Sequence, residues 1–191
     1  MNLPLILGES MRDYQEIITF WFSEQVRPMW FRSTTEFDDE VRERFLETWQ
    51  AATAGELDHW RQSAEGMLAL IIVLDQFPLH MFRGKAESFS TGEKALKVAD
   101  DAIARGFDRK LEPNYLPFLY MPFMHSENIE DQNRSVALFE AAGLKENLRF
   151  ARHHCELIRR FGRFPHRNAI LGRPSTDEEQ AYLASKEAFH G

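Results

Sequence analysis

At 191 residues, 43% hydrophobic and 28% charged, the chain can bury one core without a disulfide or metal staple, and its single cysteine, Cys155, excludes an intrachain disulfide framework. A net charge of −7 weighs against general nucleic-acid binding, and the longest apolar run, Met67 to Leu74, is far below a bilayer span. The apolar N-terminus, Met1 to Gly8, lacks the basic flank and small-residue cleavage site of a secretory signal, so a cytoplasmic protein with no membrane partner is expected.

Helical periodicity dominates, and no strand-like alternation bounded by hairpin signals interrupts it. Ser10 can cap a first helix to about Ser23, with Tyr14, Ile17, Ile18 and Trp21 on one face. Thr34 or Thr35 starts a second, which Gly55 ends. A third runs from a Ser63 cap through Met67, Leu70, Ile71 and Leu74 until Pro78 breaks it. Ser90-Thr91-Gly92-Glu93 reads as a capping box opening a helix that Gly106 stops. Asn114 to His125, interrupted by Pro117 and Pro122, reads as a short kinked helix. Ser126 or Asn128 opens the next, to Ala142 before Gly143, and Lys145 to Phe161 follows, stopped by Gly162. Ser175-Thr176-Asp177-Glu178 reads as a second capping box, starting a final helix through Phe189. The expectation is one all-α domain over 1–191, its helical core about 10–190, with seven to nine helices in antiparallel pairs. Tyr182, Leu183 and Phe189 on the last helix could pack on the domain or on a second subunit of a homodimer.

The stretch without helical pattern, Gly162 to Pro174, belongs to a segment with five arginines and no acid between Arg159 and Arg173. Arginine forks suit carboxylates and phosphates, so this loop either grips an anion or is gripped by acids of the same chain. Phe161, Phe164, Pro165, Ile170 and Leu171 would pin it to the core. Asp75 and Gln76 follow a near-continuous apolar run, and a carboxylate there needs a partner, for which the arginine loop is the obvious supplier. His125 and Glu127 fall at a helix junction, where a histidine beside a carboxylate could transfer protons. No zinc-type ligand spacing, phosphate-cradling glycine loop or dinucleotide fingerprint is present, so neither metal nor cofactor is expected. Cys155, mid-helix, reads as a buried small hydrophobe. Phe20-Trp21-Phe22 and Trp30-Phe31 read as packing.

Several of these segments together resemble the bacterial domain-of-unknown-function 924 family. They are Trp21-Phe22, Leu74-Asp75-Gln76-Phe77-Pro78, Phe82-Arg83-Gly84, Met121 to Glu127, Asp131-Gln132, Arg160 to Asn168, and Leu171-Gly172-Arg173 with Ser175-Thr176. The match runs over about residues 14 to 185. The resemblance implies stacked helix pairs of the tetratricopeptide-like superfamily, an α-α superhelix, and it implies no activity, substrate or cofactor. The chain departs from the pattern at Leu79-His80, where Arg-Asn is usual, and at Gly92, where an Asp is usual.

Two functions from different classes follow. One is a binding module with an arginine-lined site for an anionic small molecule or acidic peptide, with Arg83, Arg163, Arg167, Asn168, Arg173 and Gln76 as ligand-binding candidates. The other is an enzyme doing hydrolase-like acid/base chemistry on an anionic substrate, with His125, Glu127, His166 and Asp75 as catalytic candidates. Both require Asp75, His125, Glu127, Arg163, His166 and Arg167 to converge. Arg167 and Arg173 are the arginines expected to keep donors free for a ligand.

Overall fold

The structure, a computed structural model, describes residues 13–189. Among them are eight α-helices and no strand: α1 Tyr14–Trp21, α2 Thr35–Ala54, α3 Ala64–Met81, α4 Gly92–Ala104, α5 Leu116–His125, α6 Ile129–Ala141, α7 Lys145–Phe161 and α8 Asp177–Leu183. The Ser10 cap expected for α1 lies outside the described residues; Asp13 caps the helix, its carboxylate accepting from the Gln15 amide at 2.9 Å. Thr34 caps α2, and Gly55 ends it at φ 84°, a left-handed conformation open to glycine at little cost.

Helix α3 is central. It packs against α1, α2, α4 and α5, and Met67, Ile71, Ile72, Val73 and Phe77 are fully buried along it. By length and composition it could cross a bilayer, but 83% of it is enclosed by the rest of the fold.

Pro78 does not break α3, contrary to the expectation. The helix widens to a π turn over Ile72–Gln76 and resumes at Phe77, with Pro78 in the first turn of the new segment, where a missing N–H is tolerated. The carbonyl that residue 78 would serve in an α register, that of Leu74, instead accepts from the Thr91 hydroxyl at 2.6 Å, and the same hydroxyl accepts from Trp49 Nε1 at 3.2 Å. Thr91 is therefore committed to α3, and the Ser90–Glu93 capping box does not form: α4 starts at Gly92 with no side-chain cap.

Helices α5, α6 and α7 follow one another through short links and pack as neighbours. Pro122 sits inside α5 without ending it, and Asn128 caps α6. The second capping box is displaced by one residue, to Thr176 and Glu179, and α8 stops at Leu183 rather than Phe189. Most of the core is one aromatic-rich cluster, in which Phe31 takes little part, being 69% exposed. A smaller cluster of Leu157, Ile158, Phe164 and Tyr182, joined by Phe161, Leu183 and Phe189, ties α7, the arginine loop and α8 together. The apolar face of the last helix thus packs on its own domain.

Candidate functional site

The π turn of α3 carries Asp75 and Gln76, both buried. Asp75 makes no direct contact with an arginine, against the sequence expectation. Its oxygens lie 2.9 and 3.0 Å from His125 Nδ1, at the C-terminus of α5, and its Oδ2 also accepts from Gln76 Nε2 at 2.6 Å. A carboxylate on Nδ1 places the ring proton there and leaves Nε2 as the free acceptor of a neutral imidazole. The His125 side chain is 22% exposed, and no hydrogen bond from another described residue reaches Nε2.

Glu127 is held by the arginine loop. Arg173 meets it through both ends of its fork, at 2.7 and 2.9 Å, and the Phe164 amide donates to it at 2.8 Å. Burial works to raise the Glu127 carboxyl, but Arg173 and the Phe164 amide outweigh it and hold it below the usual carboxylate range. The remaining Arg173 donors go to Asn168 Oδ1 and the Phe164 carbonyl, while Asn168, fully buried, donates to Ser175. Arg163 forks onto Glu179 at 2.7 and 2.8 Å and also reaches the Pro174 carbonyl. These side chains close the loop on itself and on α8.

Arg167 differs. Its guanidinium lies 4.6 Å from the Phe89 ring centroid and 4.5 Å from that of Phe164. Its Nε is buried without a hydrogen-bond partner, and no described carboxylate is in ion-pair contact with it. Burial pulls it down to about 10, opposed by the charges of Glu127 and Asp75 and assisted by Arg173. It therefore remains a cation at neutral pH, close enough to both carboxylates to feel them and bonded to neither. His154 and His166 border the same place, their rings 5.3 and 5.6 Å from that of Phe164. Burial holds His154 down to about 3, and its Nδ1 is engaged by the Phe150 carbonyl at 2.9 Å.

The structure thus brings together Asp75, Gln76, His125, Glu127, His166, Arg167, Asn168 and Arg173, with Arg163 on the α8 side of the loop. Arg83 stands elsewhere. It pairs with Asp38 of α2 at 2.6 Å, beside His80, whose Nδ1 is 2.9 Å from the same carboxylate. A groove of about 370 Å³ also opens away from the cluster, lined by Phe20, Ser23, Phe37, Glu40 and Arg44 among others. Arg44 there is spent on Glu16 and Glu40, so the arginine loop is the better candidate.

Sequence reasoning missed Phe89 and Glu179. Phe89 carries no local signal. Glu179 could have been found by reading the Thr-x-x-Glu box one residue later. Glu179 is buried, and the Arg163 fork holds it down to about 2. Its unfolded value is near 4.5, so its contribution to stability is present above that pH and is lost as the pH falls from about 4.5 to about 2. Melting temperatures measured across that window should fall for the wild type. Glu179→Gln should start lower at neutral pH and show a flatter acid limb.

Comparison with known proteins places the chain. Residues 17–187 match the family described as bacterial protein of unknown function (DUF924). The chain belongs to that family. A solved structure, that of the protein of unknown function ATU0120 from Agrobacterium tumefaciens, is similar to it with a TM-score of 0.85 at 40% identity, covering 90% of this chain and 96% of the other. No curated protein matches. Family membership accords with the all-helical fold and leaves the chemistry to be argued from the site.

Proposed function

We propose that this family member is a helical binding module whose site takes a small anion, or the acidic end of a peptide, at Arg167. The observation that carries the reading is the state of that side chain: a guanidinium held against two rings, with every neighbouring arginine of the loop spent on an internal acceptor and this one on none. Burying a cation without a bonded partner costs stability, and an oxyanion accepting its free N–H groups would recover part of that cost. The planar fork it offers favours carboxylate or phosphate geometry. Asn168, Arg163 and Arg173 frame the loop, and Gln76 steadies Asp75. A tetratricopeptide-like stacking of the helix pairs and a cytoplasmic setting complete the reading; the buried thiol of Cys155 suits the latter.

An enzyme is the second reading, favoured by the Asp75–His125 pair, which has the carboxylate–imidazole arrangement of an acid/base catalyst acting on an anionic substrate. Thermal melting in sulfate, phosphate and succinate tests the first. A ligand at a hundred times its Kd should add about 2.7 kcal/mol to wild-type stability. Arg167→Met, which keeps an apolar stem against the rings, should fold and lose that response. If no anion raises the wild-type melting temperature, or if Arg167→Met responds as the wild type does, the reading is wrong.

A further inference from the structure

We infer that the site takes its anion together with a proton: His125 joins the ligand as an imidazolium, so that an oxyanion of the sulfate or phosphate-ester type accepts from Nε2 as well as from Arg167. The inference rests on the reading of Arg167 as an anion-binding residue and adds the second cation.

The argument is one of charge and orientation. Asp75 engages Nδ1 with both oxygens, so the ring is fixed and only Nε2 can address a ligand. As a bare acceptor Nε2 would oppose an oxyanion lone pair; as N–H it would donate to it. The groups around the ring come from five elements. Asp75, from α3, carries −1. Arg167, from the loop, carries +1. Glu127, just beyond α5, and Arg173, from the loop, cancel within their own bidentate pair. His154, from α7, is kept neutral by burial, and Asp131 of α6, accepting from the Ser126 hydroxyl at 2.7 Å, adds a second −1. His166 of the loop is the remaining titratable neighbour, its ring, like that of His154, lying against Phe164. With His125 neutral these charges sum to −1 and Nε2 turns a lone pair on the ligand. With His125 protonated they sum to zero, Nε2 donates beside Arg167, and Asp75 stabilises the imidazolium from behind. By linkage, the factor by which the proton tightens the anion is the factor by which the anion tightens the proton.

Sulfate is the probe, because it does not titrate near neutral pH. Calorimetry of sulfate binding in two buffers of different ionisation enthalpy should show net proton uptake by the wild-type protein. The Kd should tighten as the pH falls through the His125 titration, by about tenfold in all for a shift of one unit. In parallel, the His125 ring resonances, assigned by their loss in His125→Gln, should titrate about one unit or more higher in saturating sulfate. His125→Gln should bind sulfate more weakly and without proton uptake; if that variant does not fold, the wild-type ring titration decides by itself. Sulfate binding with no proton uptake and an unmoved His125 titration overturns this inference and leaves the Arg167 site standing. No sulfate binding by the wild-type protein overturns both.

Discussion

Phe164→Ala is expected to destabilise the protein by about 3–5 kcal/mol, the range for deleting a fully buried aromatic ring. Phe164 is 0% exposed. It packs with Leu157, Ile158 and Tyr182, its ring lies against the Arg167 guanidinium, and its amide and carbonyl meet Glu127 and Arg173. Removing the ring opens a cavity where α7, the loop and α8 meet, and it takes one ring contact from the guanidinium. Urea melts measure the first consequence and the anion-induced shift in melting temperature measures the second; both should fall together. Phe31→Ser provides the contrast. That ring is 69% exposed, so the change should stay within about 0.5 kcal/mol. A cost below about 1 kcal/mol at Phe164 would mean that the loop is not anchored through this residue.

Arg173→Met should cost about 2–3 kcal/mol, whereas Arg167→Met should be close to neutral. The difference follows from what each guanidinium leaves behind. Without Arg173, Glu127 loses both arms of its fork, and Asn168 and the Phe164 carbonyl each lose a donor. The full penalty for breaking a buried pair is reduced because Glu127 and Arg173 keep 27% and 24% side-chain exposure. Without Arg167 no bonded acceptor is stranded, and a methionine stem remains among aromatic rings. The double variant Glu127→Gln with Arg173→Met should recover part of the loss, since no charge is then left unpaired. Equal costs at 167 and 173 in urea melts would contradict the division of the loop into a clasp and one open donor.

The helix boundaries were legible where the signals are local. Thr34 and Gly55 bracket α2, and Gly162 ends α7, because a cap is a contact between residues two to four apart and needs nothing from the rest of the fold. The reading failed at Pro78 for the opposite reason. The group that serves the orphaned Leu74 carbonyl comes from Thr91, seventeen residues on, which leaves the N-cap position of α4 without a side-chain cap, while the Ser90 hydroxyl expected to form the box donates to the Glu87 carbonyl. At the last helix both Ser175/Glu178 and Thr176/Glu179 satisfy the pattern. Burial of Glu179 under the Arg163 fork selects the second.

Composition and periodicity alone established an all-helical domain with its polar interruptions at Asp75, His125–Glu127 and the arginine loop, since hydrophobic spacing and turn chemistry are written into neighbouring residues. Which acid each arginine meets was decided only in three dimensions. Asp75 was the expected partner for the loop, but the close packing of α3 and α5 places His125 against it instead. Arg163 and Arg173 are consumed by Glu179 and Glu127, and Arg167 is left open because rings, rather than carboxylates, close around it. Ion pairing depends on distances of a few ångströms between residues far apart in the chain. Charge counts along the sequence show that such pairs must exist, and the packing of α3, α5, α7 and α8 determines which ones form.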